Sequence, residues 1–291
     1  MNQKTNFVFI ITTDGSRPIE LERLIGSFAQ VDNAAVFMLL QNGSALPESV
    51  RESLPQRTVI LHDTRRIPLS IARNRLLDQV DAHELGFGID SKTVVLLADD
   101  DCWYSDEFFA RLPDFADVGV CQAVDPESGK HFSTFNLLKK AGKRYLSPWE
   151  LMFYGVSISF LFRYEAIKGL RFKENIGLGN KISQGEESLF VMRLLKLRPD
   201  VKVAVCVEVA VYHPWKFASS SNNHSSLGYF LGWAGVRGFS FAMPFYFFLL
   251  SKYLVATIVR PRKLYWKIFC SLGISFVKGM FDTKGIGAPN A

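Results

Sequence analysis

The chain reads as an α/β protein: a mainly parallel sheet with helices on both faces, followed by an apolar and basic helical tail. Three observations predict this. Short, wholly apolar runs recur at 7–11, 36–40, 58–61 and 94–97, apart from one Thr. Segments with apolar residues at helical spacing lie between them, as at Leu21, Leu24, Ile25 and Phe28. Strands buried on both faces need such runs, and their alternation with helices is the pattern of parallel crossover units. Composition then changes near residue 216. Residues 213–291 hold nine Lys/Arg and one acid, Asp282, whereas residues 1–212 hold 25 basic and 27 acidic residues. The formal charge of +6 therefore belongs to the tail.

Taken in order, the first run enters the polar loop 12–17, and Pro18 suits the first turn of the helix that Leu21 and its partners define. The second run stops at Gln41-Asn42-Gly43-Ser44, a turn signal. After the third, Ser70 is expected to cap a helix that carries Leu69, Ala72, Leu76 and Val80 on one face. The fourth, Val94-Val95-Leu96-Leu97-Ala98, runs directly into Asp99, Asp100 and Asp101. Beyond it the pattern is more mixed, with a strand expected over 157–162, a helix over 187–197, and strands over 201–205 and 207–212. Segment 217–226, rich in Ser and Asn, reads as a loop or linker. The expected division is into two domains, 1–215 and 216–291.

The tail excludes some roles and suggests another. Residues 239–251 are charge-free but shorter than the roughly 20 apolar residues of a bilayer span. Extension to 259 takes in Pro244 and Lys252, and 268–280 contains Lys278. In-plane or re-entrant helices are expected rather than spans. The aromatic residues form dense blocks such as Phe245-Tyr246-Phe247-Phe248. Nucleic-acid platforms space single rings among polar residues, so no nucleic acid is expected; an anionic membrane surface fits basic charge beside apolar blocks. The scattered cysteines 102, 121, 206 and 270 argue against a disulfide framework or zinc site and suit a reducing cytosol. The apolar run 7–11 is too short for a secretory signal.

In parallel sheets, ligands bind beyond the carboxyl ends of the strands. Thr12, Thr13, Asp14, Asn42 and the Asp triplet all fall at such ends. Three adjacent carboxylates repel one another and call for a positive species. A hard divalent cation, Mg²⁺ or Mn²⁺, takes oxygen ligands and shares them with substrate phosphates. A polar turn after a strand is the simpler alternative. Arg73, in the first turns of its helix, suits a diphosphate, or is a solvated helix charge. Glu186 and Glu187 open a helix whose N-terminus favours ionised carboxylates. His213 reads as a further metal or diphosphate ligand, or as a structural His. The three glycines within 177–185 suggest a mobile loop.

Four pieces in order, the strand–loop–helix from Phe7 to Pro18, Ser70-Ile71-Ala72-Arg73-Asn74-Arg75, Leu97-Ala98-Asp99-Asp100-Asp101 and Gly185-Glu186-Glu187-Ser188, make residues 6 to about 215 resemble a family 2 glycosyltransferase of the GT-A fold. The resemblance implies a Rossmann-like GT-A domain, a nucleotide-sugar donor and inversion at the anomeric carbon. It implies donor contacts from Thr12, Thr13, Asp14, Asn42, Asp63, Arg73, Asp99 and Asp100, with Asp63 at the base edge. Asp99 and Asp101 would hold the metal, joined by His213, and Asp100 would orient the ribose or share the metal. Glu187 would be the base, in a Glu186-Glu187 pair where the family has Glu-Asp. Trp103 would wall the sugar site, and Trp149, Glu150 and Tyr154 lie where acceptor contacts are expected. Gln41-Asn42 stands where the family usually has an Asp, which leaves the donor base open. The implied role is bacterial surface-polysaccharide synthesis, with a glycan or lipid-linked acceptor, on the cytoplasmic face of the inner membrane as a peripheral or monotopic protein. The alternatives are a sugar-phosphate nucleotidyltransferase, which usually has a first-loop Lys that 12–18 lacks, and a non-catalytic glycan-assembly subunit.

Overall fold

The computed structural model describes residues 6–131, 142, 144–148, 150–151, 156–214, 220–236, 238, 242–259 and 263–281. They form two compact units. The first comprises residues 1–172 and 193–216, the second 173–192 and 217–291.

The first unit is built on a nine-stranded sheet. Strands β1 (Phe7–Thr13), β2 (Ala34–Leu40), β3 (Arg57–His62) and β4 (Val94–Asp99) are mutually parallel in the order β3-β2-β1-β4. Every residue of β2 is buried, and so is the apolar start of β1 from Phe7 to Ile11, as strands covered on both faces must be. Helix α1 (Pro18–Phe28) covers one face, where Phe28 stacks on Phe9 at 3.9 Å between centroids. Helix α3 (Leu69–Ala82) packs on β1 and β2. His83, which ends α3, places its ring 5.9 Å from that of Phe37. A short helix α2 (Glu48–Ser53) precedes β3, and α4 (Glu84–Phe87) precedes β4.

Past β4 the sheet changes direction. Strands β5 (Trp103–Tyr104), β6 (Val118–Val124), β7 (Tyr145–Leu146), β8 (Phe160–Arg163) and β9 (Val203–Tyr212) extend it. β8 runs antiparallel between β4 and β6, β6 pairs parallel with β9, and β5 and β7 each pair antiparallel with β9. Short helices α5 (Phe108–Arg111) and α6 (Tyr164–Ile167) lie within this half.

Several expectations are corrected here. α3 begins at Leu69 after Pro68, so Ser70 is a buried residue within the helix and not its cap. The strand expected over 157–162 opens as a 3-10 turn, Ser157–Ser159, and only then becomes β8. The two strands expected at 201–205 and 207–212 are one. Its register against β6 shifts between Cys121 and Gln122, and the Gln122 amide donates to the Val207 carbonyl at 2.6 Å within that bulge. β6 was not expected, because Gly119 and Gln122 interrupt its apolar pattern. The glycine suits close packing there: a Cβ would lie 3.0 Å from Cys206 Sγ and 3.2 Å from Leu161 Cδ1, tighter than most Cβ contacts.

The second unit contains the start of α7 (Glu186–Leu197), then α8 (Ser220–Val236), α9 (Ala242–Val259) and α10 (Lys263–Phe281). Segment 220–226, expected as loop, is the first part of α8. Its polar residues carry no apolar period, and packing of the later turns of α8 against α10 selects the helix. Gly228, Gly232 and Gly279 bring α8 and α10 into backbone contact: a Cβ on Gly228 would lie 2.5 Å from the Leu272 carbonyl oxygen, and one on Gly279 would lie 2.8 Å from the Trp233 nitrogen. On α9, Phe247, Phe248, Leu254, Val255 and Ile258 are all exposed and recur at helical spacing. Ile274, Val277, Lys278 and Phe281 make a similar exposed face on α10. Among the described residues, no helix is long and apolar enough to cross a membrane.

Candidate active site

The register of the sheet sets the site. Thr12 pairs with Asp99 across β1 and β4, Thr13 with Leu40 across β1 and β2, and Leu40 with His62 across β2 and β3. The loops after all four parallel strands therefore leave one edge. Trp103 pairs with Tyr212, which brings His213 beside the residues just before Trp103. The His213 amide is tied to the Val124 carbonyl at 3.0 Å.

Asp99, Asp100 and Asp101 are each met by different partners. Thr13 Oγ1 donates to Asp100 Oδ2 at 2.7 Å and itself accepts from the Gly15 amide at 3.0 Å. Arg17 Nη1 bridges Asp100 Oδ1 at 3.1 Å and Asp101 Oδ2 at 2.7 Å. His213 Nε2 lies 3.0 Å from Asp101 Oδ1, while its Nδ1 lies 2.8 Å from the Pro214 carbonyl. Arg73, whose side chain is 2% exposed, reaches Asp99 Oδ1 at 3.2 Å, and Ser157 Oγ lies 3.5 Å from Asp99 Oδ2. Repulsion within the triplet is thus met by two guanidiniums and an imidazole from the protein itself.

Burial pushes the Asp100 carboxyl up, with Asp101 and Asp99 adding to it against the Thr13 hydrogen bond and Arg17. Burial favours a neutral His213, but the hydrogen bond and charge of Asp101, with Asp99 beyond, hold its pKa above the ordinary value. Asp99 is the most open of the three, its side chain 32% exposed against 12% for Asp100 and 3% for Asp101.

Two expected features of the loops have clear partners. Asp14 accepts from the Ser16 hydroxyl at 2.5 Å and pairs with Arg66 at 3.3 Å; the Ser16 hydroxyl is the larger cause of its lowered pKa. Asp63 accepts from the Arg65 amide at 2.9 Å and from Arg75 at 2.7 Å, which hold its carboxyl below the usual range. Gln41 is buried and accepts from the Ile67 amide at 2.7 Å, so it shapes the β2 turn. Asn42 takes φ 60°, the left-handed position that Asn tolerates, on an exposed turn. Asn74 exchanges two hydrogen bonds with the Phe172 backbone, at 2.9 and 2.6 Å, and fixes the chain there.

Trp103 is half-buried with one face covered by the Arg23 guanidinium, 3.5 Å from its centroid. Glu150 caps its own turn, accepting from the Ser147 amide at 2.9 Å and hydroxyl at 2.6 Å. Trp149 and Tyr154 lie outside the described residues. Glu186 and Glu187 open α7 in the second unit, where Gly185 supplies the first carbonyl, to the Leu189 amide at 3.0 Å. Glu186 is buried and Glu187 half-buried.

Arg17 and Ser157 were missed by sequence reasoning. Arg17 had one signal, a lone cation just before Pro18 in the first loop. Ser157 had none, because only the placement of β8 beside β4 brings it to Asp99.

Among the described residues, no three His, Cys, Asp or Glu groups converge as a metal cage. Asp101 Oδ1 and His213 Nε2 stand 3.0 Å apart as a hydrogen-bonded pair, an oxygen and a nitrogen that an octahedral Mg²⁺ or Mn²⁺ could take together only if the imidazole gave up the shared proton. Such ions commonly take one or two protein ligands and complete their shell with water and substrate phosphate.

No protein-family model matches the sequence, and no curated protein sequence matches it. Solved structures do match in three dimensions. The crystal structure of S. aureus TarS aligns with a TM-score of 0.52 at 15% identity, covering 78% of this chain and 39% of that one. The crystal structure of 4-diphosphocytidyl-2C-methyl-D-erythritol synthase aligns at 0.40 and 14% identity, covering 76% of this chain and 97% of that one. The chain thus spans about two-fifths of TarS, and likeness at this identity speaks to fold alone. In fold, the chain is a GT-A-like mixed α/β protein with a mostly parallel sheet.

Proposed function

We propose that the chain is an inverting, metal-dependent glycosyltransferase of the family 2 type, moving a sugar from a nucleotide-sugar donor to a glycan acceptor carried on a lipid. The observation that carries this reading is the strand-end constellation of Asp99, Asp100 and Asp101 with Arg17, Arg73 and His213. Asp101 and His213 would hold Mg²⁺ or Mn²⁺, which as a Lewis acid offsets charge on the leaving diphosphate. Arg73 orients Asp99 at the open side of the cluster. Thr13 and Arg17 fix Asp100, which suits a ribose hydroxyl contact. Asp63, held ionised by Arg65 and Arg75, is an acceptor for an N–H on the nucleobase edge.

The reaction balances simply. The acceptor oxygen bonds to the anomeric carbon from the face opposite the diphosphate, the bond to the diphosphate breaks with its electron pair, and the acceptor proton passes to Glu187. Glu187 holds this role by its motif position at the start of α7. A nucleotidyltransferase needs a first-loop cation available for a triphosphate. Arg17 is the cation of that loop, and it bridges two carboxylates, so sugar transfer is the better-supported reading. The exposed apolar stripe of α9 and the basic tail suit an anionic membrane surface, where a lipid-carried acceptor is confined. Bacterial surface polysaccharide, assembled at the cytoplasmic face, is the setting proposed.

The test is nucleoside diphosphate release from a panel of UDP-, GDP- and dTDP-sugars with Mn²⁺ and a membrane extract as acceptor source. Asp101→Ala is expected to abolish release. Glu187→Gln is expected to lower it by about 10²–10⁴-fold while donor binding persists. No release by the wild type from any donor overturns the enzyme reading, and near-normal release by Glu187→Gln removes the base assignment.

A further inference from the structure

The second unit contains a cleft of about 630 Å³ that the donor chemistry does not use. Lys181, Asn175 and Asn180 come from the glycine-rich segment before α7, and Tyr229, Lys278 and Phe281 from α8 and α10. Its volume lies in the range of small-molecule sites, about 300–1,000 Å³.

Both walls are built. The segment expected to be a mobile loop is tied to itself. The Gly177 amide donates to the Ile182 carbonyl at 2.8 Å, the Asn180 amide to the Gly177 carbonyl at 3.0 Å, and the Asn180 side chain to the Glu174 carbonyl at 2.9 Å. Gly177 and Gly179 take φ of 102° and 91°, which a side chain would resist. On the other wall, Gly279 lets α10 press on the backbone of Tyr229 and Trp233, which sets Lys278 and Phe281 beside Tyr229.

The chemistry of the lining is specific. Two exposed lysines, Lys181 and Lys278, line one cleft, and among its described lining residues there is no carboxylate. Side-chain amides and a phenol stand with them, and the apolar surface comes from Tyr229, Ile182 and Phe281. Phe281 continues into the exposed face of Ile274 and Val277 on α10. A polyanionic head and an apolar chain would each meet their match.

We infer that this cleft binds the phosphate of a single amphiphile, an alkyl or isoprenyl phosphate ester, with Lys181 and Lys278 on the phosphate and the chain leaving over Phe281. Lysine acts on phosphate as a point charge, so two of them balance a phosphate dianion. A nucleotide is the poorer fit, because the apolar exit leads onto an open face rather than to an enclosed base pocket. As the seat of an acceptor, this cleft rests on the transfer reading; as a lipid-phosphate seat it does not, because binding is measured without donor.

The test uses the full chain and three probes by calorimetry or sedimentation: dihexanoyl phosphatidic acid below its micelle concentration, glycerol 3-phosphate, and vesicles of phosphatidylcholine with phosphatidylglycerol. The short-chain lipid is expected to bind at least about tenfold tighter than glycerol 3-phosphate, since only it reaches the apolar exit. Lys181→Gln with Lys278→Gln is expected to lose about tenfold or more, and Lys181→Arg with Lys278→Arg to keep most of the affinity. If the Gln pair loses the monomeric lipid but still sediments with vesicles, the ligand is an individual lipid phosphate. If both are lost, the lysines serve bilayer headgroups and the single-amphiphile inference is overturned. Equal binding of the two soluble probes, or unchanged binding by a Gln pair with wild-type circular dichroism, overturns the inference. Nucleotide-induced thermal shift in the same samples reports the donor side separately, so failure of one reading leaves the other standing or falling by itself.

Discussion

Replacing Gly232 by Ala tests how the second unit is held together. A Cβ there would lie 2.8 Å from the Phe276 carbonyl carbon, nearer still to its oxygen, and 3.1 Å from the Met280 nitrogen. These are backbone atoms of α10 and cannot swing aside. Ordinary carbon contacts begin near 3.5 Å, so the helices must separate by roughly 1 Å. Overpacking of this kind costs about 1–3 kcal/mol, and the better helix propensity of Ala returns up to about 1 kcal/mol. The net, with the full propensity gain subtracted, is a loss of up to about 2 kcal/mol. Gly273→Ala in the same helix pair is the control: its Cβ would meet only the Tyr246 hydroxyl, at 3.8 Å, so propensity acts alone and stability is expected to rise by about 0.5–1 kcal/mol. Urea denaturation followed by circular dichroism reads both. Opposite signs are expected; a stabilising Gly232→Ala, or equal effects at the two sites, would refute backbone contact between α8 and α10.

Two further predictions concern the first unit and the thiols. Asp63 titrates below the ordinary aspartate value of 3.8 because the Arg65 amide and Arg75 hold its charged form. Its contribution to stability is therefore present above that value and lost as pH falls through the lower folded pKa; the stability gap between wild type and Asp63→Asn should narrow on acidification below 3.8, and a widening gap contradicts the pairing. Cys102 and Cys121 are buried with their thiols pushed well up, and burial takes Cys206 up to about 12. Only Cys270 is partly open, so a native thiol titration with an aromatic disulfide should count one fast group and three more after unfolding; three fast groups would show that the β6–β9 core is not closed.

The parallel half of the sheet was legible because its strands are buried on both faces. A run such as Val36-Phe37-Met38-Leu39-Leu40 has few other destinations. The mixed half was harder. β6 carries Gly119 and Gln122, which look like breakers until Cys206 and Leu161 are seen against the glycine and the β9 bulge against the amide. α8 was hidden for the opposite reason: its start is Ser- and Asn-rich, and its helical state depends on α10. The site was legible in its acidic members because a charge triplet after an apolar strand is conspicuous. Its counter-ions were less so. Arg73 was singled out through its motif as a diphosphate contact and not as the partner of Asp99, and Arg17 reaches Asp100 and Asp101 from 83 and 84 residues away in sequence, a distance no local pattern spans.

The sequence by itself determined the α/β class, the four parallel strands, the strand-end position of the Asp triplet and the basic, aromatic character of the tail. Each stems from period, length or charge, which are properties of short stretches. Only the tertiary structure decided which cations answer the triplet, that His213 pairs with Asp101, and that residues 173–192 join the tail's helices around a cleft. These depend on register and on backbone approach between segments far apart in the chain, and a composition or a period carries no record of either.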